Sequence, residues 1–565
     1  MKKYIISLSI ATIAINSYSQ SAIDAYNFSQ PDMKGTARFM SMGGAFGALG
    51  GDLSSISQNP AGIGVYRNND FGFTLNLDAQ TSNSTADGSS YKMDQTKFLL
   101  NNIGVVLTLK LPNTNFPNFN FGFTYNKGAS FNRVYGGNIK TLHNSMSNYI
   151  AGLANSENLS EGDVASSQGY NPYDYSVPWL PVLGYDSYLI TPDVNPNTGA
   201  TNWYGLWSDY MTNASTSGSG TFLMRETGGI DEFNIVFGGS IANTLYWGMN
   251  FQIASLHYTL NSIWGESLTN ALVPDANNQL TVANADWNLN NYYSVSGSGF
   301  SYQLGLIYKP VQELRLGFAF HTPTWYNLNE SFSASVDYLY GGTESGIATT
   351  NNGYLGYNDY GFRTPWKIIA SAAGVLSSNF ILSFDYEWAN YGKMHFSEPT
   401  YYDGGYDYWE PWALSAGTKA SQPFYDLSDP YGYENGDIRA YYKSTNTFRV
   451  GAEFKPIPSL SIRAGYAYVS SPVRNEAKNN DLTIYTAGTM PSYRFDNNTN
   501  YLSAGIGYRY NRFYVDLAYV YKNMKSEYHA YTPDPEPYDG RYIPSPQAKV
   551  SFSNSQVVLS AGYRF

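Results

Sequence analysis

Residues 118–127 read NFNFGFTYNK, with Phe119, Phe121, Phe123 and Tyr125 on every second position and Asn120, Gly122, Thr124 and Asn126 between them. A period of two is that of a β-strand, whose successive side chains point to opposite faces. Large rings on one face and small or polar groups on the other suit a wall strand between lipid and a polar interior. They also suit a soluble, secreted β-sandwich or propeller.

The same alternation recurs along the chain. It fills 71–80, 99–111, 233–242, 246–260, 299–309, 314–322, 364–376, 380–391, 446–455, 460–471, 500–510, 513–523 and 549–565. Together with 118–127 that is about fourteen strands, an even number as in bacterial outer-membrane barrels. Brief turns, such as Asn243-Thr244 and Asn511-Arg512, alternate with long loops at about 128–231, 261–298, 323–363, 392–445, 472–499 and 524–548. Short turns at one end and long loops at the other are the habit of such barrels. A sandwich has no reason for that asymmetry. The expected fold is therefore all-β, a transmembrane antiparallel barrel over 70–565.

Composition agrees. Of 565 residues 17% are aromatic, 53 of them Tyr, and only 14% are charged. No segment approaches the ~20 apolar residues of a membrane-spanning helix. There is no cysteine, which excludes a disulfide framework and thiolate metal sites. The net charge of −11 gives no basic surface for nucleic acid. Residues 1–19 combine Lys2 and Lys3, an apolar run and Ser17-Tyr18-Ser19, the pattern of a secretory signal peptide. The chain ends QVVLSAGYRF, with Val557, Leu559, Ala561, Tyr563 and Phe565 on one face. A terminal aromatic strand of this kind resembles the signal read by the barrel-assembly machinery, so Tyr563 and Phe565 are its expected carriers.

One stretch breaks the alternation. Residues 35–66, GTARFMSMGGAFGALGGDLSSISQNPAGIGVY, are dense in Gly, Ala and Ser. Asp52 is placed to cap one helical turn over 53–57, and Asn59-Pro60 to end it. Small side chains let this backbone pack closely inside something else, so the segment 20–69 reads as a plug. A loop-rich leader has the same composition.

The run Gly35-x-Ala37-Arg38, Ser41-x-Gly43-Gly44-Ala45, Asp52-x-Ser54 and Asn59-Pro60-Ala61-Gly62 resembles the N-terminal hatch of the FadL/TodX family. That resemblance covers about thirty residues; elsewhere the likeness is one of architecture. It implies an outer-membrane transporter of a Gram-negative bacterium, monomeric, for passive uptake of long-chain fatty acids or other hydrophobic molecules. It implies capture by the extracellular loops, next to lipopolysaccharide, and gating by the hatch. Asn59, Pro60 and Ala61 match the family triplet. Gly43, Gly44, Gly62 and Gly64 would supply backbone freedom around it. Arg38, the one cation between 35 and 65, is expected to pair with Asp52 or to meet a ligand carboxylate. The family's wall opening lies at a kink in the third strand, which maps loosely onto 118–127, where no proline marks it.

Other chemistry finds little support. His143, His257, His321, His395 and His529 are scattered, with no metal-ligand spacing and no cofactor implied. Haemin binding through one of them stays an alternative reading. Asp534, Glu536 and Asp539 offer oxygen ligands for calcium, or simply a solvated loop. No nucleophile elbow or phosphate loop is present, so no catalytic residue is assigned and the chain is not read as an enzyme. Residues 20–69 are too few for the plug of an energy-driven receptor, and a plain porin needs none. A docking or shuttle subunit of a protein secretion system is the alternative of a different class.

Overall fold

The computed structural model describes residues 20–565 except 31, 113–114, 176, 209–214, 275–279, 378, 400–428, 480–481, 487 and 534–543. The signal-peptide segment, the tyrosine-rich run 401–412 and the candidate calcium residues lie outside the described residues.

Fourteen wall strands follow one another. They are β1 (Asp70–Ala86), β2 (Ser89–Lys110), β3 (Asn118–Ser130, continued by Arg133–Ile139), β4 (Ser217–Ile241) and β5 (Leu245–Pro274). Next come β6 (Leu280–Val311), β7 (Leu314–His321, continued by Trp325–Tyr340), β8 (Gly356–Arg363, continued by Lys367–Ser377) and β9 (Phe380–Asn390). The last five are β10 (Ser444–Ile457), β11 (Leu460–Val469), β12 (Tyr493–Tyr510), β13 (Phe513–His529) and β14 (Gln547–Arg564). Each pairs antiparallel with the next, and β14 pairs with β1 from Asp70↔Arg564 to Thr85↔Lys549, which closes the barrel. Closure satisfies the backbone donors and acceptors that an open sheet edge would leave bare in lipid.

The alternation has a physical direction. On β5, Met249 and Ile253 are exposed on the outside, while Asn250 and Gln252 are buried inside. The inner polar groups bond to one another: Asn250 Nδ2 donates to Asn234 at 2.7 Å. Exposed apolar rings outside and buried amides inside reverse the order of a soluble domain, and the sandwich reading is thereby set aside.

Several strands run well past the stretches read from sequence. Residues 261–298 and 323–363, expected as loops, are largely strand in β5, β6, β7 and β8. The reason is a switch of phase. Beyond Ala254, β5 turns Leu256, Tyr258 and Leu260 inward and His257 and Asn261 outward. β6 likewise buries Trp287, Leu289, Tyr293 and Val295 in this upper part, whereas Leu304 and Leu306 face outward lower down. The lower storey is dressed for lipid and the upper storey for water. The inner face follows suit, polar below and apolar above.

The chain between β3 and β4 caps the upper storey. It contains helix α3 (Met146–Ser156). Trp179, Trp203 and Trp207 are buried in the same apolar cluster as Leu256, Tyr258 and Trp287. Those aromatics hold the cap together.

Candidate functional site

The interior holds residues 20–66 along its length. At the top, helix α1 (Ala22–Ser29) starts on a capping box in which Ser21 N and Oγ donate to Asp24 Oδ2 at 3.0 and 2.8 Å. Tyr26 stacks on Tyr442 with ring centroids 5.3 Å apart, and Phe28 meets Tyr258 edge-on at 5.6 Å. Ile23, Tyr26 and Phe28 thus fill the apolar chamber of the upper storey. A cavity of about 60 Å³ remains beside the helix, lined in part by Ile23, Met224, Leu260 and Phe332.

An ionic belt follows. Lys34 Nζ lies 2.9 Å from Asp78 on β1 and donates to Gln556 on β14 at 2.8 Å. Asp32 meets Lys522 on β13 at 3.1 Å. Burial pushes the Asp32 carboxyl up, but Lys522 and Lys34 outweigh it and hold it below the ordinary carboxylate range.

Helix α2 (Ala37–Ser41) opens the compact hatch. Thr36 Oγ1 accepts from Phe39 N at 3.1 Å and donates to Asp52. Asp52 also accepts from Ser54 N at 2.9 Å, forming an Asx turn. The turn it introduces is a 3₁₀ segment over Ser55–Ser57, shorter than the expected 53–57. The expected Arg38–Asp52 ion pair does not form. Arg38 Nε turns to Glu453 on β10 at 3.3 Å, and its Nη1 donates to Gly51 O. Asp52 is already served by Thr36 and Ser54, whereas Glu453 is a buried carboxylate on the wall.

Asn59, Pro60 and Ala61 are all buried. Asn59 caps a 3₁₀ helix over Pro60–Val65: its Oδ1 accepts from Ala61 N at 3.0 Å. Its Nδ2 donates to Gly47 O at 2.6 Å and reaches Leu306 O on β6 at 3.3 Å. Proline suits the first helical position, where its missing N–H costs nothing. The side chain of Asn59 therefore joins two hatch turns to the wall.

Sequence reasoning missed the other half of this seat. Gly238, Gly248 and Gly305 stand side by side on β4, β5 and β6, flanked by Asn120 on β3. A Cβ added to Gly248 or Gly305 would fall within 3.0 Å of Pro60 or Asn59. Asn120 Nδ2 donates to Ile63 O at 2.6 Å. The signal was available as glycines at inward positions of three successive strands. Opposite, Gly43 and Gly44 have φ of 62° and 72°, and Gly43 rests on the backbone of Tyr466. Gly62 packs on Gly50, and Gly64 on the carbonyl of Gly239.

The seam between β2 and β3 is only half closed. β3 pairs with β2 from Asn118↔Lys110 to Asn126↔Asn102 and no further. It then bulges between Lys127 and Ala129 and bends at Phe131–Asn132, just beyond the stretch 118–127. Its continuation lies over the inner face of β1, where Ser82 Oγ donates to Val134 O at 2.7 Å.

The histidines sit apart. His321 Nε2 is 3.0 Å from Gln58 O of the hatch, and His529 stacks on Tyr493 at 4.7 Å. Among the described residues no three potential ligands converge on a metal position. Tyr563 and Phe565 stack at 5.8 Å on the outer face, and Phe565 exchanges backbone hydrogen bonds with Asn69.

Residues 197–565 match the family profile described as outer membrane protein transport protein (OMPP1/FadL/TodX). Similar solved structures include a Pseudomonas aeruginosa FadL homologue, 13% identical, covering 95% of this chain and 99% of that one with a TM-score of 0.48. The P. putida toluene transporter TodX is also 13% identical, covering 94% and 99% with a TM-score of 0.45. The CymD monoaromatic hydrocarbon channel is 12% identical, covering 94% and 97% with a TM-score of 0.43. No curated protein matches. The identification rests on the family profile, which spans β4 to β14 and leaves the hatch outside it. With an apolar outer belt on a closed barrel of fourteen strands, this chain belongs to the OMPP1/FadL/TodX family of outer-membrane transport proteins.

Proposed function

We propose that the protein is a passive channel for hydrophobic small molecules, with long-chain fatty acids as the cargo class and the hatch as its gate. The observation that carries this reading is the apolar chamber around Tyr26 and Phe28, enclosed in a barrel whose lower inner wall is polar. Among the described residues this is the largest of the apolar clusters along the lumen. The match to a family of outer-membrane transport proteins supports a transport reading. In this state α1 occupies the chamber. Burying Ile23 and Phe28 contributes roughly 1.5–3 kcal/mol each, and an acyl chain burying about eight methylenes gains about 6 kcal/mol. A ligand of that length is able to take the helix's place. The half-open β2–β3 seam then offers a sideways route into the bilayer.

The experiment is native mass spectrometry of the detergent-extracted protein, with and without residues 20–30. Acyl ligands bound to either form support the reading, and more on the shortened one. A second reading, docking in a secretion system, draws on the filled interior. It gains if neither form retains any acyl ligand.

A further inference from the structure

A second cavity, of about 370 Å³, lies beneath the hatch. The turn residues Asn68, Pro458 and Ser459 line it, so it opens at the end of the barrel with the short turns, the periplasmic end. Seven cationic side chains face it against four carboxylates. Such an excess is unexpected in a chain whose net charge is −11.

Most of the carboxylates are already used. Glu453 serves Arg38, Lys455 and Arg463; Arg463 also meets Asp516 at 2.5 Å; Arg564 meets Asp70 at 3.1 Å. Asp52 takes neutral donors. Among the described residues, Arg67, Arg315 and Arg509 are left without a carboxylate. Arg67 is spent on the carbonyls of Gly64 and Tyr66 and on Asn243. Arg315 donates Nη1 to Leu49 O at 2.8 Å, but its Nε is buried with no partner and faces the like charges of Arg38 and Arg67. Arg509 is exposed and lines the cavity with no ion pair among the described residues. Tyr66, 5% exposed, also lines the cavity, and its buried hydroxyl has no partner.

We propose that this periplasmic vestibule, which Arg315 and Arg509 both line, binds an oxyanion, a carboxylate or phosphate group carried by a small molecule. Guanidinium forks suit such groups, and a cleft with an excess of one sign of charge concentrates the opposite ion. The site does not depend on what the upper chamber carries.

The test uses the full-length protein in phosphate-free detergent solution and titrates three probes by calorimetry: octanoate, inorganic phosphate and octanol. Saturable binding of octanoate with phosphate inert assigns the site to an amphiphile's carboxylate; binding of phosphate assigns it to the free anion or a phosphorylated headgroup. Arg509→Gln weakens that binding about tenfold, and Arg509→Lys, which keeps the charge but not the fork, restores part of it. A second readout needs no ligand. In this cysteine-free chain, Ser461→Cys on the vestibule wall reacts with an anionic over a cationic methanethiosulfonate at a ratio about tenfold above that of Gly88→Cys on the exposed β1–β2 turn. Neither anion binding, octanol binding as well as octanoate, or equal ratios at 461 and 88 overturns the proposal.

Discussion

The α-carbon of Gly248 on β5 lies directly under the carbonyl of Pro60, so that a Cβ there would fall within 3.0 Å of the Pro60 oxygen. Wall and hatch touch backbone to backbone at this point. Gly248→Ala must push the 3₁₀ turn off its seat, at about 1–3 kcal/mol by the usual cost of overpacking. The barrel still assembles, because the outward face of β5 is unchanged. Planar-bilayer recordings of Gly248→Ala are expected to show frequent opening steps where the native chain is silent. Gly374→Ala is the control, since its nearest neighbour would be Leu376 at 3.5 Å.

Asn59→Ala removes the cap on Ala61 N and the bond to Gly47 O together. Losing a cap costs about 1 kcal/mol, and leaving a buried carbonyl unpaired about 1–3 kcal/mol more. Hydrogen exchange at residues 47–62 is expected to accelerate, with the rates of β4 to β6 unchanged. Asn59→Asp keeps the Oδ1 acceptor but turns a buried carboxylate oxygen on the carbonyls of Gly47 and Leu306, and is expected to accelerate exchange at least as much.

These two residues show what the sequence made legible. Asn59-Pro60-Ala61 stood out because its turn chemistry is local and the motif resembles a known hatch. Gly248 did not, because its meaning depends on Gly238 across the hairpin and on Gly305 in the next strand, adjacent only after the strands pair. The lower strands were readable from rings such as Phe119 and Phe121, whose alternation lipid enforces. Their upper halves were not, because at Ala254 the apolar set crosses from the outer face to the inner one. A phase reversal resembles the end of a strand until water, rather than lipid, is placed outside it. The Arg38–Glu453 pair was out of reach for a similar reason: 415 residues separate the partners.

Lys34 sits between Asp78 and Asp32, almost fully buried. Lys34→Met leaves the buried Asp78 carboxylate without its cation, while Asp32 keeps Lys522, a change that typically costs 3–5 kcal/mol. Limited proteolysis is expected to cut near residues 30–34 in the variant and not in the native chain. Added salt should alter the native result little, because the pair is shielded from solvent.

Asp24 sets a pH dependence on the seating of α1. Burial pushes its carboxyl up from 3.8 to about 6, against the bonds from Ser21. Between those values the seated helix binds more protons than the released one, so seating strengthens as pH falls from 6 towards 4. Above pH 6 that contribution is absent. Glu330, a second buried carboxyl facing Asp24, pushes the same way whenever it is charged. Fluorescence from a probe on residue 22 is expected to report more seated helix at pH 4.5 than at pH 7.5, and Asp24→Asn to flatten the profile.

The most direct test of a hatch-gated channel for hydrophobic cargo is uptake of radiolabelled oleate by a Gram-negative host lacking its own fatty-acid transporter. The native chain is expected to restore saturable uptake, and the triple change Asn59→Gly, Pro60→Ser, Ala61→Gly to abolish the saturable part while the barrel stays folded. Uptake no greater than in cells without the protein, or a triple variant indistinguishable from the native chain, would contradict the account.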